Sequence, residues 1–421
     1  IGTTWQQITV PFATMGPRYL PDLAACNFAA ARGNNVPCEP APFNPASVLG
    51  FQFSLYEGFN GSGAYDLWVD EVEFVTGDTG LPMHTQSTGA FAFPQDRAVT
   101  NCAKPAGASG KYLVEAYQNW KAAFTEPSGN GIRVKFEIPS QTVSEGIAYG
   151  MLIAVYMNDK PLFDGLWNYW NAIGGNLRTW KTGESGSGSD ADEAAAFALA
   201  QAEKQWGGYA DRRNAVLGAF RAADIEAGNI LKPGNQFGGA ALTNPSYFAP
   251  AFYRIFAQIE PAQAATWNGL AGTVHSYLNS IEGRVTSGLV PAWCQNSCND
   301  IYTMGTEGTS YIDGQHYQYD SHRTPWRMAL DACWHNNNDA RQYTTSTSNF
   351  FSMQGANGLG RLGNTYTTGG MPIGTIGNSM SLVGTAGVGA MPTAGSNAQH
   401  RQLLDPAWRF LLDANTIRTF A

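Results

Sequence analysis

Four short segments of the chain combine carboxylates with residues that could set them up for acid–base chemistry. They are TVSEGIAYGM (142–151), SDADE (189–193), TNPSYFAP (243–250) and YQYDSHRTPWR (317–327). Glu145 stands at a predicted helix start, and Asp320 stands three residues before Arg323. An adjacent guanidinium keeps a carboxylate ionised, whereas a half-buried carboxyl keeps its proton. One acid of each kind is what general acid–base hydrolysis requires.

Each segment also has a purely structural interpretation. Thr142 and Glu145 fit a capping box at a helix start, and Ser189 fits a helix N-cap followed by acids that complement the macrodipole. Asp320 and Arg323 fit a local ion pair. Asn-Pro at 244–245 fits a helix start with proline at its first position.

Two features favour chemistry over capping alone. Gly146 and Gly150 lie in the first two turns of the helix predicted over 144–157, where glycine is costly, so we expect another chain or a ligand to approach there. Three acids within SDADE exceed what a cap needs, so we expect one of them to point into a site.

The segments need a scaffold, and the pattern from residue 111 onward predicts helices. Helical spacing or length marks 111–126, 144–157, 160–173, 190–206, 209–227, 246–258, 262–281, 323–336, 338–351, 380–391 and 396–415. Long Gly-, Asn- and Ser-rich loops separate them. Eleven or twelve helices without a sequence repeat indicate paired helices around a ring, with the loops building a groove at one end.

Residues 1–77 instead predict β-structure, because alternating stretches such as YDLWVDEVEFV (65–75) are separated by Gly- and Pro-rich turns. So few strands cannot bury both faces of a sandwich. We therefore expect a partial β-sandwich whose missing strands belong to an absent N-terminal fragment or to another chain. Residues 78–110 have no period and predict a linker packed along the helical domain of 111–421.

The composition favours an extracellular protein that handles sugars. Charged residues make up 14% of the chain, aromatic residues 12%, and glycine occurs 48 times. A net charge of −8 argues against nucleic acid and anionic membranes, and no apolar run is long enough for a transmembrane helix. An exported protein would start at Ile1 after processing or truncation.

The six cysteines are even in number, which favours disulfides in an exported protein. Proximity in sequence predicts Cys26–Cys38 and Cys294–Cys298, and these leave Cys102–Cys333. Free buried thiols are the alternative.

Taken together, the four segments closely resemble glycoside hydrolase family 8. VSEGIAYGM, SDADEAA, NPSYFAP and YDSHRTPWR occur in the family's order, and LKPG (231–234) and GLVPAWC (288–294) are also similar. The resemblance covers about residues 80–415. It implies a mainly α fold, an (α/α)6 barrel with its substrate groove at one end, and an inverting endo-acting hydrolase of β-1,4 linkages in cellulose or mixed-linkage β-glucan, secreted and acting on a polysaccharide.

The resemblance also implies residue roles. Glu145 matches the general acid, Asp320 the general base, and Asp190 the residue that holds the sugar at the cleavage point. Substrate-binding positions match at Trp180, Phe237, Tyr247, Tyr319 and Arg323. No cofactor or metal is implied for the chemistry.

Several departures leave the substrate open. Ser189 replaces the usual Thr, Phe237 replaces a frequent Trp, and two tyrosines expected in 396–415 are not evident. Asp at position 320 disfavours chitosan. A xylanase or chitosanase of the same fold, or a non-catalytic glycan-binding protein, are the alternatives.

The N-terminal stretch resembles the last strands of a carbohydrate-binding jelly roll. The segments that carry this resemblance are WQQITVPF and YDLWVDEVEFV. In such modules Asp70 would match a ligand of a structural calcium ion. An ordinary surface acid in an edge strand is the alternative.

Overall fold

The structure is a computed structural model that describes residues 101–106, 108, 110–136, 138–282, 287–301, 314–355, 359, 362–374 and 379–412. The β-sandwich expected in 1–77, the candidate calcium ligand Asp70 and the Cys26–Cys38 disulfide lie outside the described residues.

The described part of the chain forms an (α/α)6 barrel. Its α-helices are α1 (Gly110–Phe124), α2 (Ser144–Tyr156), α3 (Lys160–Gly174), α4 (Ser189–Trp206), α5 (Ala210–Ala223), α6 (Pro250–Ile259), α7 (Ala264–Glu282), α8 (Arg323–His335), α9 (Asn338–Gln354), α10 (Met380–Ala390) and α11 (Ala398–Leu412). From α2 onward the helices pack as consecutive pairs, α2 with α3 and so on to α10 with α11. The first helix of each pair contacts the first helix of the next, which makes α2, α4, α6, α8 and α10 an inner series. The mainly α prediction is confirmed.

Short strands connect the helices. They are β1 (Thr125–Ser128) with β2 (Gly131–Val134), β3 (Ile225–Glu226) with β4 (Ile230–Leu231), and β5 (Leu242–Thr243) with β6 (Cys294–Gln295) and β7 (Asp300–Ile301), all antiparallel. Two predicted helices are therefore too long. The helix expected over 209–227 ends at Ala223 in the β3–β4 hairpin, and the one expected from 246 begins at Pro250, because Pro245–Tyr247 forms a separate 3₁₀ turn.

The helix boundaries follow local chemistry. Asp159, Asn337 and Ser379 cap α3, α9 and α10 by accepting from the backbone N–H three residues on. Asn336 ends α8 in the left-handed conformation. The inner helix α4 is rich in fully buried alanines, so neighbouring helices approach it closely.

Two disulfides cross-link the described part of the chain. Cys102 is bonded to Cys333 on α8, and Cys294 is bonded to Cys298 beside β6. Both predicted pairings are confirmed. No helix in the described ranges is long and apolar enough to cross a membrane.

Candidate active site

Arg323 brings the predicted catalytic carboxylates together. Its Nη2 donates to Asp320 Oδ1 at 3.0 Å, and its Nη1 lies 3.2 Å from Asp190 Oδ2 and 3.6 Å from Glu145 Oε1. Arg323 begins α8, while Glu145 and Asp190 are the second residues of α2 and α4. Three inner helices thus point their N-termini, the positive ends of their dipoles, at one cluster of acids.

The three acids differ in their access to solvent. Asp190 is fully buried, whereas the side chains of Glu145 and Asp320 are 25% and 30% exposed. A bound substrate can therefore reach Glu145 and Asp320 directly, with Asp190 beneath them.

The environment of Glu145 favours its protonated form. Burial, followed by the negative charge of Asp190, raises the pKa of Glu145 to about 7, against the opposing effect of Arg323. Burial also raises the pKa of Asp190, although Arg323 and Arg327 lower it. Near neutral pH the cluster thus retains a proton that an ordinary pair of carboxylates would lose.

Arg323 stays charged at this position. Burial opposes its charge, but Asp190, Tyr149 and Asp320 raise the pKa of the guanidinium above its ordinary value overall. The predicted ion pair between Asp320 and Arg323 is present, yet the guanidinium serves three carboxylates rather than one.

The start of α2 is held by a loop, and the alternative interpretation of Thr142 and Glu145 as a capping box is wrong. Val143 is the N-cap and makes no side-chain cap bond, while Thr142 Oγ1 donates to the carbonyl of Val134. The N–H of Ser144 instead donates to the carbonyl of Trp180 at 2.8 Å. The loop that carries Trp180 therefore fixes the backbone next to Glu145.

The two glycines of α2 admit protein rather than a ligand. A Cβ on Gly150 would lie 3.1 Å from Leu166 Cδ1 and 3.2 Å from Val134 Cγ2, and one on Gly146 would lie 3.5 Å from Val134 Cγ1. The expected close approach is present, and the β1–β2 hairpin and α3 of this chain make it, so packing of the protein accounts for both glycines.

The start of α4 also departs from prediction. Gly188, not Ser189, is the N-cap, without a side-chain cap bond. A Cβ on Gly188 would lie 3.0 Å from Asp190 Oδ1, so the glycine leaves room for that carboxylate. Glu193 does not face solvent near the helix start, since it is fully buried against Arg327 at 3.2 Å. Asp190 is the acid of this run that reaches the site.

The NPSYFAP segment contributes a hydroxyl and a ring. Asn244 caps the 3₁₀ turn by accepting from Ser246 N, as its Asn-Pro sequence predicts, and Ser246 Oγ accepts from Arg323 Nε at 3.2 Å. The guanidinium carbon of Arg323 lies 5.0 Å from the centre of the Tyr247 ring. Ser246 was not predicted as a site residue.

Exposed aromatic rings are present at the other predicted substrate positions. Trp180, Phe237 and Tyr319 are 41%, 49% and 52% exposed, so each ring presents a face to solvent. Trp293 lies behind two rings, 6.4 Å from Phe237 and 6.2 Å from Tyr247 between ring centres. The sequence analysis included the GLVPAWC motif but did not predict Trp293 as a site residue. Its place directly before Cys294 is the one sequence feature that indicates a fixed position for this ring.

Among the residues that the structure describes, no three His, Cys, Asp or Glu side chains are placed to share a metal ion.

Comparison with known proteins gives a match to one family. Residues 91–401 match the model of glycosyl hydrolases family 8. The chain is 33% identical over 270 residues to Endoglucanase A of Acetivibrio thermocellus, covering 59% of this chain and 54% of that protein. It is 32% identical over 273 residues to Endoglucanase 2 of Ruminiclostridium josui, covering 60% and 57%. The matches thus span little more than half the length of these relatives.

Solved structures share the fold. The apo β-1,3-1,4-glucanase from Paenibacillus sp. X4 superposes with a TM-score of 0.71 at 23% identity, covering 78% of this chain and 96% of that one.

Proposed function

The chain belongs to glycosyl hydrolases family 8, and from that premise we propose that it is an inverting, endo-acting hydrolase of β-1,4 linkages in cellulose or mixed-linkage β-glucan. The names of its relatives, two endoglucanases and a β-1,3-1,4-glucanase, support a β-glucan as substrate.

The observation that carries the proposal is the contact of Arg323 with Glu145 and Asp320 together. The two amino nitrogens of one guanidinium are about 2.3 Å apart, so the acid and base carboxylates lie no more than about 9 Å from each other. This is compatible with the roughly 6.5–9.5 Å of inverting enzymes, which must admit a water molecule between base and sugar.

Each group then has one task. Glu145 donates its proton to the glycosidic oxygen as the bond to the anomeric carbon breaks. Asp320 accepts a proton from a water molecule whose oxygen attacks that carbon from the opposite face. Asp190 holds the sugar between them, and Tyr247, beside Arg323, contacts the same unit.

The exposed rings supply the binding surface. Trp180 and Phe237 offer flat apolar faces on which pyranose rings stack, and Tyr319 lies next to the proposed base. The phenyl ring of Phe237 covers less area than an indole, so we propose that its subsite binds more weakly.

The proposed reaction uses a carboxyl pair and water, so it requires no metal ion. A calcium ion bound by Asp70 in the N-terminal part stays a prediction. We further propose that the protein is secreted, which agrees with its disulfides, since these persist in oxidising compartments.

The test is a panel of carboxymethylcellulose, lichenan, barley β-glucan, xylan and chitosan, with product sizing and proton NMR of the first products. We expect rapid size reduction of the β-glucans and α-configured new reducing ends. New ends that appear first as the β-anomer would contradict inversion, and faster cleavage of xylan or chitosan would contradict the glucan substrate.

A further inference from the structure

We propose that Asp192 and Asp224 share one proton and thereby hold in place the two loops that carry Trp180 and Phe237. The two acids touch neither substrate nor the proposed acid and base, so they are positioning residues. The inference rests on the proposed function for the role of the loops, but not for the proton itself.

The two carboxyl groups meet inside the protein. Asp192, on α4, and Asp224, which follows α5, are fully buried, and their side chains lie within hydrogen-bonding reach of each other. Neither oxygen of Asp224 accepts a hydrogen bond from any donor in the described residues, while Asp192 interacts with the hydroxyl of Ser187 and accepts from the N–H of Arg178. Two carboxylates in such contact cannot both be ionised, whereas a shared proton gives one of them a donor.

The surrounding charges do not remove the need for that proton. Burial and then Asp224 raise the pKa of Asp192 well above its ordinary range, and burial raises the pKa of Asp224 to about 7. Asp190 and Glu193 add negative charge from α4.

The basic side chains of Lys232 and Arg178 both donate to backbone carbonyls. Lys232, on β4, lowers the pKa of Asp224, but its ammonium donates to the carbonyls of Ala223 at 2.9 Å and Asn235 at 2.8 Å. The guanidinium of Arg178 donates to the carbonyl of Tyr169 at 3.1 Å.

Each acid is tied to one aromatic loop. Oδ1 of Asp192 accepts from the N–H of Arg178 at 3.4 Å, two residues before Trp180. The carbonyl of Asp224 accepts from the N–H of Lys232 at 2.8 Å, and the Lys232 ammonium binds the carbonyl of Asn235, two residues before Phe237. Bonding between the two carboxyl groups therefore couples both loops to the start of α4.

The substitution Asp224→Asn replaces the shared proton with a permanent amide donor, and Asp192→Asn does the same from the other side. Asp211→Asn, at an exposed carboxylate on α5, is the matched control. For each protein, Tm is measured from pH 5 to 8.5, and KM for cellohexaose over the same range.

The expected sign follows from proton linkage. Between pH 4 and about 7 the folded protein holds a proton that the unfolded chain releases, so the stability of the wild type falls as pH rises through this window. The Tm of D224N should therefore rise relative to the wild type by about 3 °C between pH 5 and pH 8. The KM values of the wild type and of D211N should both increase at least threefold from pH 6 to 8.5. The KM of D224N should stay within a factor of two over the same range.

Other outcomes overturn the inference. They are a Tm difference that does not change with pH, a KM profile of D224N that follows the wild type, or loss of folding in both Asn variants, since an amide preserves the bond. A wild-type Tm that EDTA lowers would also overturn it, because a cation would then join the carboxylates. If the wild type cleaves no glucan, the proposed function fails, yet the Tm comparison still decides whether the proton is shared.

Discussion

Asp190 and Arg323 form an ion pair at the centre of the site, with Oδ2 3.2 Å from Nη1. The same nitrogen lies 3.6 Å from Glu145 Oε1. Asp190 therefore acts on the proposed acid in two ways, through its own charge and by competing for the cation that would otherwise stabilise the ionised form of Glu145.

This relationship predicts a pH shift in Asp190→Asn. Removing the negative charge lowers the pKa of Glu145 from about 7, so the alkaline limb of kcat/KM should move to lower pH by about one unit, along with a large fall in kcat. The pH profile of cellohexaose hydrolysis measures it. An unchanged limb would show that Asp190 does not set the protonation of Glu145.

The loss of activity in Glu145→Gln should depend on the leaving group of the substrate. Loss of the acid should lower kcat on barley β-glucan by about 10²–10⁴-fold. A dinitrophenyl cellobioside, whose leaving group needs no proton, should lose less than about tenfold. Equal losses on both substrates would contradict the assignment of Glu145 as the acid, because misfolding or poor binding affects both alike.

Arg323→Met should leave three carboxylates without their common cation. Mutual repulsion should then raise their proton affinity, so activity should fall strongly and stability should decrease more at pH 8 than at pH 5. Thermal unfolding at the two pH values tests this. Arg323→Lys is the control, because it keeps the charge but has one ammonium in place of the two amino nitrogens that contact different carboxylates. It should recover stability better than activity.

Substitutions at the two aromatic positions, 180 and 237, should change KM in opposite directions. Trp180→Ala should raise KM for cellohexaose by about tenfold, at a stacking contribution of about 1–1.5 kcal/mol, whereas Phe237→Trp should lower KM by enlarging the stacking face. Phe237→Ala is the matched control. A lower KM in the alanine variant would show that the ring at 237 obstructs the groove.

The Cys102–Cys333 disulfide closes a loop of 231 residues. Replacing both cysteines with serine should cost up to about 5 kcal/mol in unfolding free energy, by the chain-entropy model. Chemical denaturation checks it, with the short-loop Cys294–Cys298 pair as the comparison, for which the same model expects a smaller loss.

The helical scaffold was largely predictable from the sequence because amphipathic spacing is local. Helix ends were less so, since Pro245–Tyr247 and the β3–β4 hairpin depend on turn chemistry. The capping interpretations of Thr142 and Ser189 are both wrong, and in each helix the first N–H, of Ser144 in α2 and of Ser189 in α4, donates to a neighbouring loop, through the carbonyls of Trp180 and Pro233.

The sequence predicted which acids belong to the site and that Arg323 lies among them. It predicted only one of the contacts of Arg323, the ion pair with Asp320. That pair is three residues apart, whereas the contacts of Arg323 with Glu145 and Asp190 exist only because three helix starts converge. The Ser246–Arg323 hydrogen bond and the Asp192–Asp224 contact likewise join distant segments, so no local pattern reveals them.

The hydrogen bond from Ser144 N to the carbonyl of Trp180 has an evolutionary consequence. A change that moves Trp180 to suit another polysaccharide also moves the backbone beside Glu145, so a gain in selectivity there would come with slower bond cleavage. Phe237 lies on a loop that is bonded in the same way to the start of α4, where the N–H of Ser189, next to Asp190, donates to the carbonyl of Pro233. New substrate preferences at either position are therefore constrained by the geometry of the carboxylates.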